Sequence, residues 1–287
     1  MSRPKILVQL DPDSHASLFD AVVAVDAGID QLLQYDHVTI DEVRDLVHGA
    51  IFTRGPEDLN NTAIYVGGAD VVAGEELLAA VLASFFGPMR VSVMLDANGA
   101  NTTAVAAVLA AAAQLQLDQV TALVLAGTGP VGQRVSRLLV QQGATVRLAS
   151  RQSVRAEQAV ERIVQQVPAA RLSAVETADQ EQTAAALEGV QLVIAAGAEG
   201  IQLIAAATWQ GLDELQVAID LNAVDPLGIE GVGVMDKAEL RDGTSCYGAI
   251  GVGGTKMKIH KAALKQLFTS NDQVLDADRI FEIGREL

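Results

Sequence analysis

The chain alternates short apolar runs with longer stretches in which apolar residues recur every three or four positions, the pattern of repeated β-to-α units. Residues 5–9 read as a strand and 17–26 as a helix, with Leu18, Val22 and Val25 at helical spacing. Thr39-Ile40-Asp41-Glu42 has the form of a capping box, in which the Glu side chain reaches back to the N-cap backbone, and it opens a helix through Val43 and Val47. Residues 63–66 form a third strand running into Gly67-Gly68 and a helix over 75–84. A fourth, 90–95, runs into Asp96-Ala97-Asn98-Gly99 and an Ala-rich helix. The same alternation resumes with strands at 120–126, 144–149, 190–196 and 217–220, a helix at 131–142 closed by Gly143, and terminal helices at 256–268 and 276–285.

These elements predict an α/β fold of two domains with a cleft between them. Residues 1–115 form an N-terminal α/β substrate domain, completed by C-terminal helices over 257–287 that pack back onto it. Residues 116–256 form a Rossmann dinucleotide-binding domain. No internal repeat or Pro-rich linker interrupts the chain.

Composition narrows the function. Half of the 287 residues are apolar but only 3% are aromatic, so the core is built from Ala, Val, Leu and Ile, and disorder is excluded. With 36 acidic against 20 basic residues the net charge is −16, which disfavours nucleic acid and anionic membrane as partners. The most apolar stretch, 104–113, is well short of the ~20 residues that span a bilayer, and it reads as a buried helix. The basic start, Met1 to Lys5, is followed by too few apolar residues before Asp11 and Asp13 for a signal peptide, so a cytoplasmic protein is expected. The single Cys246 can form neither an internal disulfide nor a zinc cluster and reads as a core filler. His15, His37, His48 and His260 show no metal-ligand spacing, so each reads as a surface or capping histidine and no metal site is expected. A Gly-x-Ser-x-Gly nucleophile elbow is absent.

Gly127-Thr128-Gly129-Pro130-Val131-Gly132 has the Gly-x-Gly-x-x-Gly spacing of a dinucleotide fingerprint between a strand and a helix. The first glycine makes the turn, the second lets backbone approach a pyrophosphate, and the third lets helix and strand pack closely. The next strand ends in Ser150-Arg151, with Arg155 one turn on, where an NAD site places a carboxylate. A hydroxyl and guanidinium groups suit a 2′-phosphate, so the inferred cofactor is NADP. The competing reading makes Arg151 a solvated surface residue.

Two further segments carry candidate chemistry. Gly248 to Lys256 is glycine-rich but lacks Walker A spacing; it reads either as backbone that approaches a ligand or hinges, with Lys256 aimed into the cleft, or as a helix-capping loop. Asp96-Ala97-Asn98-Gly99-Ala100-Asn101-Thr102-Thr103 contains good turn and cap formers. Its carboxylate and amides at a strand end also suit the donor and acceptor edge of a heterocycle. Asp11, Asp13 and Asp20 form a second acidic group at the end of the first strand.

With these strings the chain resembles, essentially end to end, the NADP-dependent methylene-tetrahydromethanopterin and methylene-tetrahydrofolate dehydrogenases of methylotrophic bacteria. The resemblance is carried by Phe19-Asp20, Ile51-Phe52-Thr53-Arg54-Gly55, Ala63-Ile64-Tyr65-Val66-Gly67-Gly68 and Phe86-Gly87-Pro88. Met94 through Ala104, the fingerprint, Asp220-Leu221-Asn222-Ala223 with Pro226-Leu227-Gly228-Ile229, and Gly248 to Lys256 add to it. It implies a pterin substrate, oxidation of its one-carbon bridge from methylene to methenyl with hydride passing to NADP, and a homo-oligomer. Such chemistry leaves a cation shared by two nitrogens and needs no general base. The lysine of a Tyr-x-x-x-Lys setting that serves a cyclohydrolase step in related folate enzymes has no counterpart here, so dehydrogenase activity alone is expected. Carried over position by position, the resemblance puts Thr128, Gly129, Pro130 and Val131 on the pyrophosphate, Ser150 and Arg151 on the 2′-phosphate, and Gly197, Ala198 and Asn222 near the nicotinamide. Asp20, Asp96, Asn98, Asn101 and Lys256 are the pterin-side candidates for positioning and charge stabilisation. Two other functions fit a two-domain NADP protein: a reductase of a small carbonyl or shikimate-like acid, and a non-catalytic NADP sensor.

Overall fold

The computed structural model describes residues 3–287; Met1 and Ser2, read above as part of the basic start, lie outside the described residues. The chain divides into two compact units, one of the residues up to Thr102 together with Met257–Leu287, the other of Thr103–Lys256. The first change of unit falls inside the Ala-rich helix rather than after it at 115.

In the first unit the elements are β1 (Ile6–Leu10), α1 (Leu18–Asp26), β2 (Gln31–Tyr35), α2 (Ile40–Phe52), β3 (Thr62–Val66), α3 (Val71–Ala83), β4 (Ser92–Leu95) and the start of α4 (Ala100–Ala112). The second unit contains β5 (Thr121–Leu125), α5 (Pro130–Gln141), β6 (Thr145–Ser150), α6 (Ser153–Gln166), β7 (Arg171–Glu176), α7 (Gln180–Leu187), β8 (Leu192–Ala195), α8 (Ala206–Trp209), β9 (Val217–Asp220), β10 (Lys237–Arg241) and β11 (Thr244–Tyr247). Helix α9 (Ala249–Gln266) leads back into the first unit, which β12 (Val274–Leu275) and α10 (Ala277–Arg285) complete.

Among the described residues the first sheet has the order β12-β4-β3-β1-β2, all parallel, and β12 pairs β4 through Val274 with Val93 and Leu275 with Met94. The C-terminal segment thus adds a strand as well as helices to the N-terminal sheet. The second sheet has the order β10-β11-β9-β8-β5-β6-β7, parallel except for the antiparallel edge strand β10. Strands β3, β8 and β9 are buried along their whole length, as expected of continuous apolar runs in a parallel sheet covered on both faces. Helix α4 buries Ala104 to Val108 on every side, which is why it shows no amphipathic stripe.

The helix expected over 17–26 forms, with its larger apolar residues outward, and the reading of the later glycine run needs correction. The stripe Leu18, Val22, Val25 of α1 is exposed, at 77%, 54% and 63%. The helix instead buries Ala21, Val23 and Ala24, whose small side chains let its backbone approach the sheet. The glycine run after Gly248 is not a loop, because α9 begins at Ala249 and contains it. A Cβ at Gly248 or Gly251 would collide with the backbone of Gly233 and Asp236 respectively, so these glycines serve close packing of backbone on backbone, not approach to a ligand. The facing loop supplies the helix end with acceptors: Gly248 N–H donates to the Asp236 carbonyl (2.9 Å) and Ile250 N–H to that of Val234 (3.0 Å). Arg241 grips the Asp236 carboxylate with two 2.7 Å hydrogen bonds and holds it below the usual carboxylate range.

Candidate functional site

Each sheet has one point where the chain, having left a strand toward one side, returns on its other side, and loops diverge there at the carboxyl ends of the strands. In the second unit this point lies between β5 and β8. Ala126 follows β5 with φ +52°, a left-handed conformation uncommon for a residue with a Cβ, and turns the chain into Gly127. A Cβ on Gly127 would sit 2.7 Å from the Leu148 Cγ, and one on Gly132 would sit 2.7 Å from the Gly127 Cα. These two glycines are internal packing positions. Gly129 is the N-cap of α5, with Pro130 as its first residue, where the missing N–H costs nothing. A Cβ on Gly129 would make only ordinary van der Waals contact, its nearest protein atom the Ala126 carbonyl oxygen at 3.6 Å.

A cavity of about 550 Å³ opens at the carboxyl ends of β5, β6 and β8. Of the expected cofactor residues, Thr128, Ser150, Arg151, Arg155, Gly197 and Ala198 line it. Ser150 is nearly buried and its Oγ accepts from the Gln152 N–H (3.2 Å), while Arg151 and Arg155 are exposed. Asn222 does not line the cavity. Its amide donates to the Pro226 carbonyl (3.1 Å) and accepts from the Val224 N–H (2.9 Å), so it braces the loop after β9. Asp220 braces the same loop, accepting from Asn222 N–H (3.0 Å) and Ile229 N–H (2.8 Å). Cys246 is buried, with burial pushing its thiol up to about 11, which fits the filler reading.

In the first unit the corresponding point lies between β1 and β3. Asp11, directly after β1, is fully buried and accepts from the N–H groups of Asp13 and Ser17 (3.0 Å each), which shapes the loop into α1. The Asp13 carboxylate accepts from Ala69 N–H (2.8 Å), tying this loop to the one after β3. Asp96 ends β4 and is buried. Its carboxylate accepts from the N–H groups of Asn101 (2.9 Å) and Thr102 (3.0 Å) and from the Thr102 hydroxyl (2.6 Å), so it caps the start of α4. Asn101 is also buried and donates to the Leu95 carbonyl (2.5 Å). Asn98 alone of this loop's polar candidates is exposed; it has φ +53°, and its N–H donates to the Gly68 carbonyl (2.6 Å). Lys256 lies in the interior of α9, half-buried, and belongs to the second unit.

Asp20, in the first turn of α1, comes together with two residues missed above. Tyr65 on β3 is almost fully buried, and its hydroxyl donates to the Asp96 main-chain carbonyl (3.5 Å). His260, read above as a surface or capping residue, is buried on α9 and stacks on the Tyr65 ring, centroids 5.8 Å apart and planes 20° apart. Gly67 stands among them: a Cβ there would be 3.2 Å from Tyr65 Cε1, 3.4 Å from an Asp11 oxygen and 3.7 Å from an Asp20 oxygen. Burial raises the Asp20 carboxyl above its ordinary value. His260, Ser17 and Tyr65 oppose that rise, and Asp96 adds to it. Burial, then the charges of Asp96, Asp20 and Asp11, hold the Tyr65 phenol well above its ordinary value. The one legible signal for Tyr65 was an aromatic ring inside an apolar strand of an aromatic-poor chain. Among the described residues no group of three or more His, Cys, Asp or Glu could hold a metal ion, and no helix is long and apolar enough to cross a membrane.

The sequence model of a family described as methylene-tetrahydromethanopterin dehydrogenase, N-terminal, matches residues 18–98. The chain is 42% identical over 285 residues, covering 99% of each protein, to the bifunctional protein MdtA of Methylorubrum extorquens. It is 26% identical over 294 residues, covering 98% of each, to the NAD(P)-dependent methylenetetrahydromethanopterin dehydrogenase of the same organism. Two solved structures share its fold. Shikimate 5-dehydrogenase from Listeria monocytogenes in complex with shikimate and NAD has a TM-score of 0.55 at 15% identity over 98% of this chain and 96% of that one. Quinate dehydrogenase from Corynebacterium glutamicum in complex with NAD has a TM-score of 0.54 at 13% identity over 99% and 100%. At such identities the likeness is one of fold alone.

Proposed function

This chain belongs to the methylene-tetrahydromethanopterin dehydrogenase family, a family of oxidoreductases, and we propose that it oxidises methylene-tetrahydromethanopterin to the methenyl form with NADP as the electron acceptor. Hydride leaves the carbon that bridges two nitrogens of the reduced pterin, and the positive charge left behind spreads over both. No proton is removed, so the residues' work is to orient the pterin and to favour the growing charge.

The observation that carries this reading is the Asp20 carboxylate, half-buried beside Tyr65 and Gly67 at the point where the first sheet's loops diverge. An ionised carboxylate in such a partly desolvated place stabilises a cation more than one in bulk water. Asn98, exposed on the neighbouring loop, offers donors and an acceptor to the pterin ring. Asp96 and Asn101 support the reading indirectly, by fixing the loop that carries Asn98.

The second unit's cavity fits a dinucleotide. Thr128, directly before the N-cap Gly129 of α5, lines the cavity, so a pyrophosphate there would meet the helix N-terminus, and Ser150, Arg151 and Arg155 would hold a 2′-phosphate where a carboxylate would repel it. The bound dinucleotide supplies the hydride acceptor. With no Tyr-x-x-x-Lys pair in the sequence, the proposal is for dehydrogenase activity without cyclohydrolase.

An absorbance assay of NADP reduction with methylene-tetrahydromethanopterin and methylene-tetrahydrofolate side by side tests the reading. Turnover with the first, alone or with the second, is the expected result. NADPH formation with neither pterin, but with a shikimate-like acid, would replace it, and binding of NADP without any turnover would make the protein a sensor.

A further inference from the structure

The glycine-rich turn before α5 is braced by two side chains that do not line the cavity. The peptide between Thr128 and Gly129 leads into the N-cap of α5, and it is held from both sides. Its N–H donates to the Ala126 carbonyl (3.2 Å), and its own carbonyl, that of Thr128, accepts from the Gln133 side-chain amide (2.7 Å). The Gln133 amide oxygen in turn accepts from Nε and Nη2 of Arg162 (3.4 and 3.3 Å), which reach it from α6. We propose that Arg162 and Gln133 are positioning residues for the cofactor: the guanidinium orients the glutamine amide, and the amide fixes the Thr128–Gly129 peptide so that the turn receives a pyrophosphate. The proposal rests on the dinucleotide site given to the second unit above and is independent of the pterin.

The chemistry of the three groups allows one direction only. A guanidinium has donors and no acceptor, and a carbonyl oxygen only accepts, so the amide between them turns its oxygen to Arg162 and its NH2 to Thr128. Without Arg162 that amide is free to rotate, and its oxygen can then face the Thr128 oxygen. A peptide plane turns as a unit, because its C–N bond is rigid. Losing the brace on the Thr128 carbonyl therefore also loosens the Gly129 N–H and the entry of the chain into the helix. Gln133 does not move with the turn it braces, since its place in α5 is fixed by its own N–H, which donates to the Gly129 carbonyl (2.9 Å). The pull of a helix N-terminus on an anion falls off within its first turn, so a small rotation of this peptide is felt by a phosphate held there.

The test uses Gln133→Met, which keeps an unbranched side chain and removes the amide, Arg162→Met, and the double variant. Each is titrated calorimetrically with NADP and with adenosine 2′-monophosphate, which carries the adenine and the 2′-phosphate but no pyrophosphate. Expected for Gln133→Met is NADP binding about three- to tenfold weaker, the scale of one neutral hydrogen bond, with binding of the monophosphate unchanged. Arg162→Met should weaken NADP by a smaller factor, and the double variant should be no weaker than Gln133→Met, because Arg162 acts through Gln133. Parent-like NADP affinity in Gln133→Met would overturn the proposal. An equal loss of both ligands would overturn it as well, since the two side chains would then merely hold α5 against α6. A further loss of NADP in the double variant would show that Arg162 acts on the cofactor by its own charge and would refute the relay. A parent that binds neither ligand would remove the dinucleotide site itself, and the proposal with it.

Discussion

Gly129 and Gly132 lie in the same turn, yet replacing each with alanine is expected to have opposite consequences. A Cβ on Gly132 would stand 2.7 Å from the Gly127 Cα and 2.9 Å from the Ala126 carbonyl oxygen, which are backbone atoms that cannot swing aside. Overpacking of this kind costs about 1–3 kcal/mol, and the better helix propensity of alanine returns up to about 1 kcal/mol. The net loss of about 1–2 kcal/mol corresponds to a melting temperature lower by about 2–8 °C for a unit of this size. A Cβ on Gly129 would meet nothing closer than the Ala126 carbonyl at 3.6 Å, and its φ of −73° suits any residue, so the melting temperature of Gly129→Ala should match the parent's. The added methyl instead occupies the space over the N-terminus of α5. Losing one charge-assisted hydrogen bond there, worth about 1.5–3 kcal/mol, weakens NADP by roughly ten- to a hundredfold. Thermal denaturation of the apo protein and calorimetric titration with NADP read both effects. Parent-like NADP affinity in Gly129→Ala would refute the placement of the pyrophosphate, and parent-like stability in Gly132→Ala would refute the packing account.

Arg151→Ala is expected to raise the KM for NADP about tenfold or more, the scale of a lost charged hydrogen bond, and to leave that for NAD nearly unchanged; equal changes in steady-state assays would return Arg151 to the solvated surface. Burial makes Asp20 hold its proton more tightly folded than unfolded, so the stability it contributes is present at low pH and is lost as the pH rises through its raised value. Asp20→Asn escapes that loss: it should melt above the parent at pH 8 and converge with it toward pH 4, and a gap of constant size would show that the carboxyl is not perturbed. In α9, Gly251→Ala must displace the backbone of Asp236 and should destabilise by ~2 kcal/mol or more. Gly253→Ala meets nothing within 4 Å and should stabilise by ~0.5–1 kcal/mol, both measurable by urea unfolding.

What could be read from the chain follows from how local its causes are. Strands such as β3, β5 and β9 are buried from both faces and announce themselves as unbroken apolar runs. Strand β2, Gln-Leu-Leu-Gln-Tyr at a sheet edge, is largely exposed, and β12 is two residues long; both exist only because a neighbour pairs with them. The fingerprint was legible because turn, strand and helix end lie within a few residues of one another. In α1 the spacing of Leu18, Val22 and Val25 marks the helix but not its buried face, which Ala21, Val23 and Ala24 form. Asp96 and Asn101 have side chains equally suited to capping and to ligand contact, and their capping bonds to nearby backbone could not be read from the sequence. Tyr65, His260 and Asp20 come from three distant parts of the sequence, and no local pattern links them.

The two sheets repeat one topological device with opposite chemistry. Where loops diverge in the second unit, the cavity wall carries Arg151 and Arg155 in a chain whose net charge is −16. At the equivalent point of the first unit stand Asp11, Asp20 and Asp96, with the phenol and imidazole of Tyr65 and His260 among them. Loops at the carboxyl ends of parallel strands can be changed without disturbing the sheet, so each point can be given its own charge. The proposed reaction asks for this division, since its cofactor is anionic and its product a cation. On that proposal the acidic surplus is more than a solubility device: three of its carboxylates gather at the first unit's point, where Asp11 and Asp96 are used to build loops and Asp20 is the one assigned to act on charge.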